Sequence, residues 1–143
     1  MILLVEEALA AHERILGPDH PTTLIIKCNL GRTLRCSEKY TKARKLAEEV
    51  LAAQERALGM DHPNTILTKR DLAHACFDLG EYVEARRLLE EVLSVEERVL
   101  GPDHPNIDIT RESLTEISFR LKLKYTSVAA LIITLMYALI LKS

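Results

Sequence analysis

The chain has 143 residues, of which 48% are hydrophobic and 28% charged, and its formal net charge at pH 7 is −2. This composition is typical of one folded domain and excludes an intrinsically disordered chain. The slightly acidic balance, with a pI of about 6.2, gives no reason to expect nucleic acid as a partner. Because the chain has no Trp and only 4% aromatic residues, its core must be largely aliphatic.

The cysteines and the N-terminus favour a cytoplasmic protein. Cys28, Cys36 and Cys76 are an odd number without a CxxC pair, which is typical of reduced thiols and not of a disulfide framework. The first five residues are apolar and are followed by acidic residues. They lack the basic start and the small-residue cleavage site of a signal peptide.

A nine-residue motif, Glu-Arg-x-Leu-Gly-x-Asp-His-Pro, occurs at residues 13–21, 55–63 and 97–105, each copy 42 residues after the previous one. A fixed interval of this length indicates stacked supersecondary units. Gly17 and its equivalents suit the left-handed end of a helix, and the proline after the histidine suits the first turn of the next helix. The motif therefore predicts a helix end, a turn and a helix start.

Apolar residues between the motifs recur at helical spacing and predict two helices per repeat. The predicted helices lie at about 2–16, 21–36, 39–58, 63–79, 81–100 and 105–124. Residues 6–9 align with residues 48–51, so the chain begins inside a repeat, near the start of its second helix. The predicted domain, residues 1–124, contains a partial repeat at 1–20, repeats at about 21–62 and 63–104, and an incomplete repeat at 105–124. An apolar tail follows at 125–143.

Several residues at fixed spacings resemble the tetratricopeptide signature. In one repeat they are Leu72, Ala73, Cys76, Gly80, Tyr82 and Ala85, and in the preceding repeat they are Leu30, Gly31, Tyr40 and Ala43, with Glu38 in place of the glycine. The 42-residue period and the turn motif resemble the repeats of kinesin light chains. The resemblance covers roughly residues 1–119. It implies an all-α fold, an α-solenoid in which antiparallel helix pairs form a right-handed superhelix.

The resemblance further implies a non-catalytic interaction module or scaffold that binds a peptide or protein segment on its concave face. In this family the first helix of each pair lines that face, which also holds Cys28, Phe77 and Asp78 here. Asn29 has an amide suited to the backbone of an extended peptide, and arginines suit acidic side chains or a C-terminal carboxylate. The expected peptide-binding residues are Asn29, Arg32, Arg35, Arg70, Asp71 and His74.

Catalytic, metal and cofactor sites are not expected. His20, His62 and His104 recur at the 42-residue interval, too far apart in a helical stack to share one ion, so we predict that they satisfy backbone groups at helix starts. The acidic pairs at 48–49 and 90–91 are expected on solvated helix flanks, paired with Lys or Arg four residues away. The five glycines are isolated and form no phosphate-binding loop.

The tail contains sixteen residues without a charge, 126–141, flanked by Lys122, Lys124 and Lys142. As a helix it would be about 24 Å long, somewhat less than the roughly 30 Å hydrocarbon core of a bilayer. Three hypotheses remain: a membrane anchor, a helix that caps the solenoid, or non-native sequence from a truncated or misread gene. The first would make the chain a small tail-anchored adaptor facing the cytoplasm. Self-association through the tail is a further alternative.

Overall fold

The computed structural model describes residues 1–142, which form six helices and no strand. The first five agree with the predicted helices to within one residue at each end. The helices are α1 (Ile2–Leu16), α2 (Pro21–Cys36), α3 (Tyr40–Leu58), α4 (Pro63–Asp78), α5 (Tyr82–Leu100) and α6 (Pro105–Lys142). The fold is an all-α solenoid, as predicted.

The repeated motif forms the turns between repeats. His20 caps α2 by accepting a hydrogen bond at its Nδ1 atom from the backbone N–H of Thr22 at 3.2 Å. His62 does the same for α4 at 3.1 Å, and His104 does so at the start of α6 at 3.2 Å. The predicted role of the three histidines at helix starts is therefore confirmed. The glycines of the motif have the expected positive φ, such as 97° at Gly17.

Each helix packs on the next one along the chain, and α2 also contacts α4. The first helices of the repeats are thus α2, α4 and α6, and the second helices are α1, α3 and α5. The main core lies where α4 and α5 meet α6, and it includes Leu72, Leu88 and Ile117. Ala85 is fully buried in this core, since the helices of a hairpin cross there and leave room only for a small side chain.

The acidic pairs differ in part from the prediction. Glu48 and Glu90 do pair with arginines four residues away, Arg44 at 2.9 Å and Arg86 at 2.7 Å. Glu49 and Glu91, however, also hold the buried ammonium groups of two lysines in the preceding helices. Glu49 and Glu91 therefore contribute to the packing between helices as well as to the solvated surface.

The last helix, α6, does not end near residue 124 as predicted but continues to Lys142. In the two preceding repeats the turn after the first helix contains Glu38 or Gly80, whose φ angles are 60° and 76°. Lys122 occupies this position in the third repeat and stays helical, so the chain does not turn back. Every residue of 122–142 is exposed. The tail therefore does not pack on the repeats. A helix that caps the solenoid would lie against them, so the observed position differs from that hypothesis.

Candidate protein-binding face

The first helices of the three repeats share one accessible face, which we call the first-helix face. Residues at positions i, i+4, i+7 and i+11 of each helix lie in one stripe, because the helix repeats every 3.6 residues. None of these side chains is buried. They are Ile25, Asn29, Arg32 and Cys36 on α2; Leu67, Asp71, His74 and Asp78 on α4; and Ile109, Ser113, Glu116 and Arg120 on α6.

Two ion pairs cross this face between neighbouring repeats. The Nε atom of Arg32 donates to Asp71 at 2.9 Å, and that of nearby Arg35 donates to Asp78 at 2.6 Å. The structure therefore brings four of the residues singled out in the sequence into contact, but it pairs the arginines with acids of the protein itself. An acidic ligand would have to displace these aspartates.

Asn29 and Arg70 are placed differently from each other. Asn29 is exposed, and its side-chain amide has no hydrogen bond to any other residue in the described part of the chain. Arg70 instead pairs with the buried carboxylate of Glu96 and lies 3.4 Å from the hydroxyl of Thr110. The guanidinium therefore holds α4 against α5 and α6, and the peptide-binding role of Arg70 stays a prediction.

His74 lies half-buried on α4, the middle of the three first helices. Burial lowers its pKa below the ordinary value of 6.5, and the nearby positive charge of Arg35 lowers it further, while Asp71 opposes the change. The imidazole is therefore neutral at pH 7. It can accept or donate one hydrogen bond, but it does not add a positive charge to the face.

Two open cavities adjoin α4. The first, which we call the Leu67 cavity, has a volume of about 290 Å³ and is lined by Leu67, Val99 and Leu100. The second, the His74 cavity, has a volume of about 310 Å³ and lies between α4 and α6. Both are near the lower limit of ligand pockets, so each suits a single side chain and not a large cofactor.

The sequence reasoning missed a ladder of exposed apolar residues on the first-helix face. Ile25, Leu67 and Ile109 are 57%, 43% and 53% exposed, and each lies four residues after the proline that starts its helix. Their regular 42-residue spacing was available in the sequence as a signal. Exposed apolar side chains that lie together on one face can form part of an interaction surface.

This arrangement defines a class of protein: an α-solenoid of helix hairpins that presents side chains from successive first helices. Among residues 1–142 no group of three or more His, Cys, Asp or Glu side chains is placed to hold a metal ion. The family model of the tetratricopeptide repeat matches residues 4–56, 27–95 and 64–123. The chain therefore belongs to the tetratricopeptide repeat family.

Solved structures narrow the class. The chain is similar to a crystal structure from Podosopora anserina, whose description names a kinesin light chain with nearly identical TPR-like repeats. The two have 26% sequence identity and a TM-score of 0.80. A point variant of that protein matches with 26% identity and a TM-score of 0.79. Each match covers 85% of this chain and 57% of the other, so this chain spans somewhat more than half of their length. The repeats are of the kinesin light chain-like class. No curated protein sequence matches the chain.

Proposed function

We propose that the chain binds an extended segment of a partner protein along its first-helix face. Tetratricopeptide repeats in general mediate protein–protein interactions, and the fold is typically a non-catalytic module. The observation that carries the proposal for this face is the apolar ladder of Ile25, Leu67 and Ile109, which remains exposed in all three repeats. Apolar side chains of the partner would cover this ladder and gain the free energy of burial.

Polar groups beside the ladder support an extended ligand. The free amide of Asn29 offers a donor and an acceptor to a peptide backbone. The ion pairs of Arg32 and Arg35 with Asp71 and Asp78 hold neighbouring first helices in a fixed register. The face is therefore organised before binding, which lowers the entropic cost of association.

A peptide selection tests this function. The full chain in detergent micelles is used to select ligands from a random peptide display library. Leu67→Glu and Ile109→Glu are then compared with Val83→Glu, which adds the same charge at an exposed apolar position on α5. We expect the first two variants to weaken binding of selected peptides by about tenfold or more, since a buried aliphatic contact is lost. The proposal fails if no peptide is selected, or if all three variants bind alike.

A second candidate function is that of a membrane-anchored adaptor. The specific observation is that α6 contains an exposed apolar segment with a mean hydropathy of 1.8, and that the helix is long and apolar enough to cross a bilayer. Lys122 and Lys124 precede this segment and Lys142 follows it, and their long side chains can reach the headgroups when a span is slightly short. Water is an unfavourable solvent for so large an apolar surface.

Carbonate extraction of membranes from cells that express the chain tests the anchor. An anchored chain stays in the membrane pellet, whereas a chain that associates only through its repeats is released. Mass measurement of the released protein distinguishes a monomer from a dimer. A chain that buries its tail against a second copy would be soluble and dimeric. Release as a dimer would therefore replace the anchor with self-association.

A further inference from the structure

We propose that the His74 cavity binds the side chain of an arginine or lysine in the partner segment. The inference rests on the proposed function for its biological setting, because it assigns the chemistry of one residue of that segment. It concerns the end of the first-helix face away from the apolar ladder, where α4 and α6 meet.

The walls of the cavity suit the alkyl part of such a side chain. Ala73, Phe77, Leu89 and Ile117 provide apolar surface from three helices. Long basic side chains lay their methylene groups along apolar walls and keep the charged end at a polar rim. The Phe77 ring already has one cation beside it, since the guanidinium carbon of Arg120 lies 5.9 Å from its centroid. Aromatic faces attract cations electrostatically.

The mouth of the cavity has two carboxylates, Glu112 and Glu116, both on α6. Glu116 pairs with Arg120 at 2.7 Å, whereas Glu112 has no ion pair within residues 1–142. The hydroxyl of Ser113 donates to the backbone carbonyl of Ile109 at 3.1 Å, so its oxygen can still accept. The rim therefore offers acceptors in excess of donors.

The other charges around the cavity are already compensated. Asp71 and Asp78 pair with arginines of α2, and Arg70 pairs with Glu96. The one uncompensated charge at the mouth, among the described residues, is therefore that of Glu112. A guanidinium or ammonium group placed there forms a charge-assisted hydrogen bond, while a carboxylate is repelled and a neutral alkyl group leaves Glu112 without a partner.

Methyl NMR of the full chain in detergent micelles tests the cavity without any partner. The probes are N-acetyl-arginine methylamide, the corresponding lysine compound, and the neutral norleucine and acidic glutamate compounds as controls. The reporters are the methyl groups of Ile117 and Ala73, which line the cavity. So small a probe binds with a Kd on the order of millimolar, so titration extends to about 50 mM.

We expect saturable shifts at both methyl groups with the arginine and lysine probes, and at least tenfold weaker binding of the norleucine probe. Glu112→Gln keeps the shape of the rim and should weaken the basic probes by about two- to fivefold, the range for losing an ion pair with an exposed carboxylate. Glu90→Gln removes an exposed carboxylate on α5 outside this cavity and should leave the titration unchanged.

The inference is overturned if the basic probes produce no saturable shift, if norleucine binds as well as they do, or if Glu112→Gln has no effect. Each of these results leaves the peptide selection free to succeed. Conversely, a selection that yields no peptide removes the proposed function, while a positive titration still establishes the cavity as a site for a basic side chain.

Discussion

The Nζ atom of Lys27 in α2 lies 2.6 Å from a carboxylate oxygen of Glu49 in α3, and the lysine side chain is almost completely buried. Lys27 also reaches back to Glu13 of α1 at 3.0 Å, so one cation joins three successive helices. Burial opposes the charged form, but the hydrogen bonds that Lys27 donates to the two glutamates outweigh it and raise the pKa of Lys27 above its ordinary 10.5. The lysine therefore remains charged at neutral pH.

The next repeat contains the same arrangement. Lys69 of α4 lies 2.9 Å from Glu91 and 3.6 Å from Glu55. In the third repeat Arg111 contacts Glu97 at 2.8 Å, but Ile133 stands at the position that corresponds to Glu49 and Glu91. The third repeat thus lacks one of the two ion pairs, at the place where no second helix packs beside α6.

Replacing the buried lysine should destabilise the array. We expect Lys69→Met to lower the free energy of unfolding by about 2–3 kcal/mol, because Glu55 would lose its cation and Glu91 would keep only the exposed Arg87. The partial exposure of the two glutamates keeps the loss below that of a fully buried pair. Denaturant unfolding followed by circular dichroism measures it. Lys45→Met, at an exposed position on α3, is the matched control, and equal losses in both variants would contradict the role of Lys69.

The two arginines Arg70 and Arg32 should differ in their effect on stability. Arg70→Ala leaves the carboxylate of Glu96 buried without a cation and should cost about 2–3 kcal/mol. Arg32→Ala removes a pair in which the arginine is 43% exposed, and should cost about 0.5 kcal/mol or less. Thermal unfolding of both variants tests the difference. A large loss in Arg32→Ala with none in Arg70→Ala would reverse our assignment.

Glycine at position 38 should stabilise the protein. Glu38 has a φ of 60°, a left-handed conformation that is costly for a residue with a Cβ atom, whereas the equivalent residue of the next repeat is Gly80. We expect Glu38→Gly to raise the free energy of unfolding by about 0.5–1 kcal/mol after the entropic cost of glycine in the unfolded chain. Lys39→Gly is the control, because Lys39 has a negative φ and should gain nothing. A gain in the control alone would refute the explanation.

Acid should weaken the fold through His74. Its folded pKa lies below the ordinary 6.5, so the unfolded chain binds this proton more readily than the folded chain does. The contribution of neutral His74 to the free energy of unfolding is complete above pH 6.5, and it is lost as the pH falls from 6.5 towards the pKa of the folded state. Stability measured between about pH 7.5 and pH 5 should therefore depend less on pH in His74→Gln than in the parent chain. Identical slopes would show that His74 has no such role.

A charge in the middle of the apolar segment should disturb membrane retention if the tail is an anchor. Leu135→Arg places a guanidinium near the centre of the span, where insertion costs about 2.5–3.5 kcal/mol. We expect a larger fraction of this variant in the carbonate supernatant. Ser127→Arg adds the same charge near the lysines at the start of the segment, where the side chain can reach the interface, and should remain in the pellet. Full retention of Leu135→Arg would argue against a span.

Much of the first-helix face could be predicted from spacing alone. Asn29 and Arg32 lie in one helical stripe, and Asp71 and His74 lie in the equivalent stripe 42 residues later. The partners of these residues were less accessible to sequence reasoning. Arg70 and Glu96 are 26 residues apart, and nothing in the local sequence indicates that they meet. Such a contact depends on how α4, α5 and α6 stack.

The sequence by itself determined the first five helices, the turns between them and the 42-residue repeat length, because helix caps, left-handed glycines and prolines act through neighbouring backbone groups. The tertiary structure decided which charges remain available to a partner, since ion pairs form between side chains that are distant in sequence and adjacent in space. It also decided that the tail continues α6 away from the repeats. The residue at which a helix ends is set by neighbouring residues. Whether an apolar segment packs against another part of the protein depends on the packing of the whole chain.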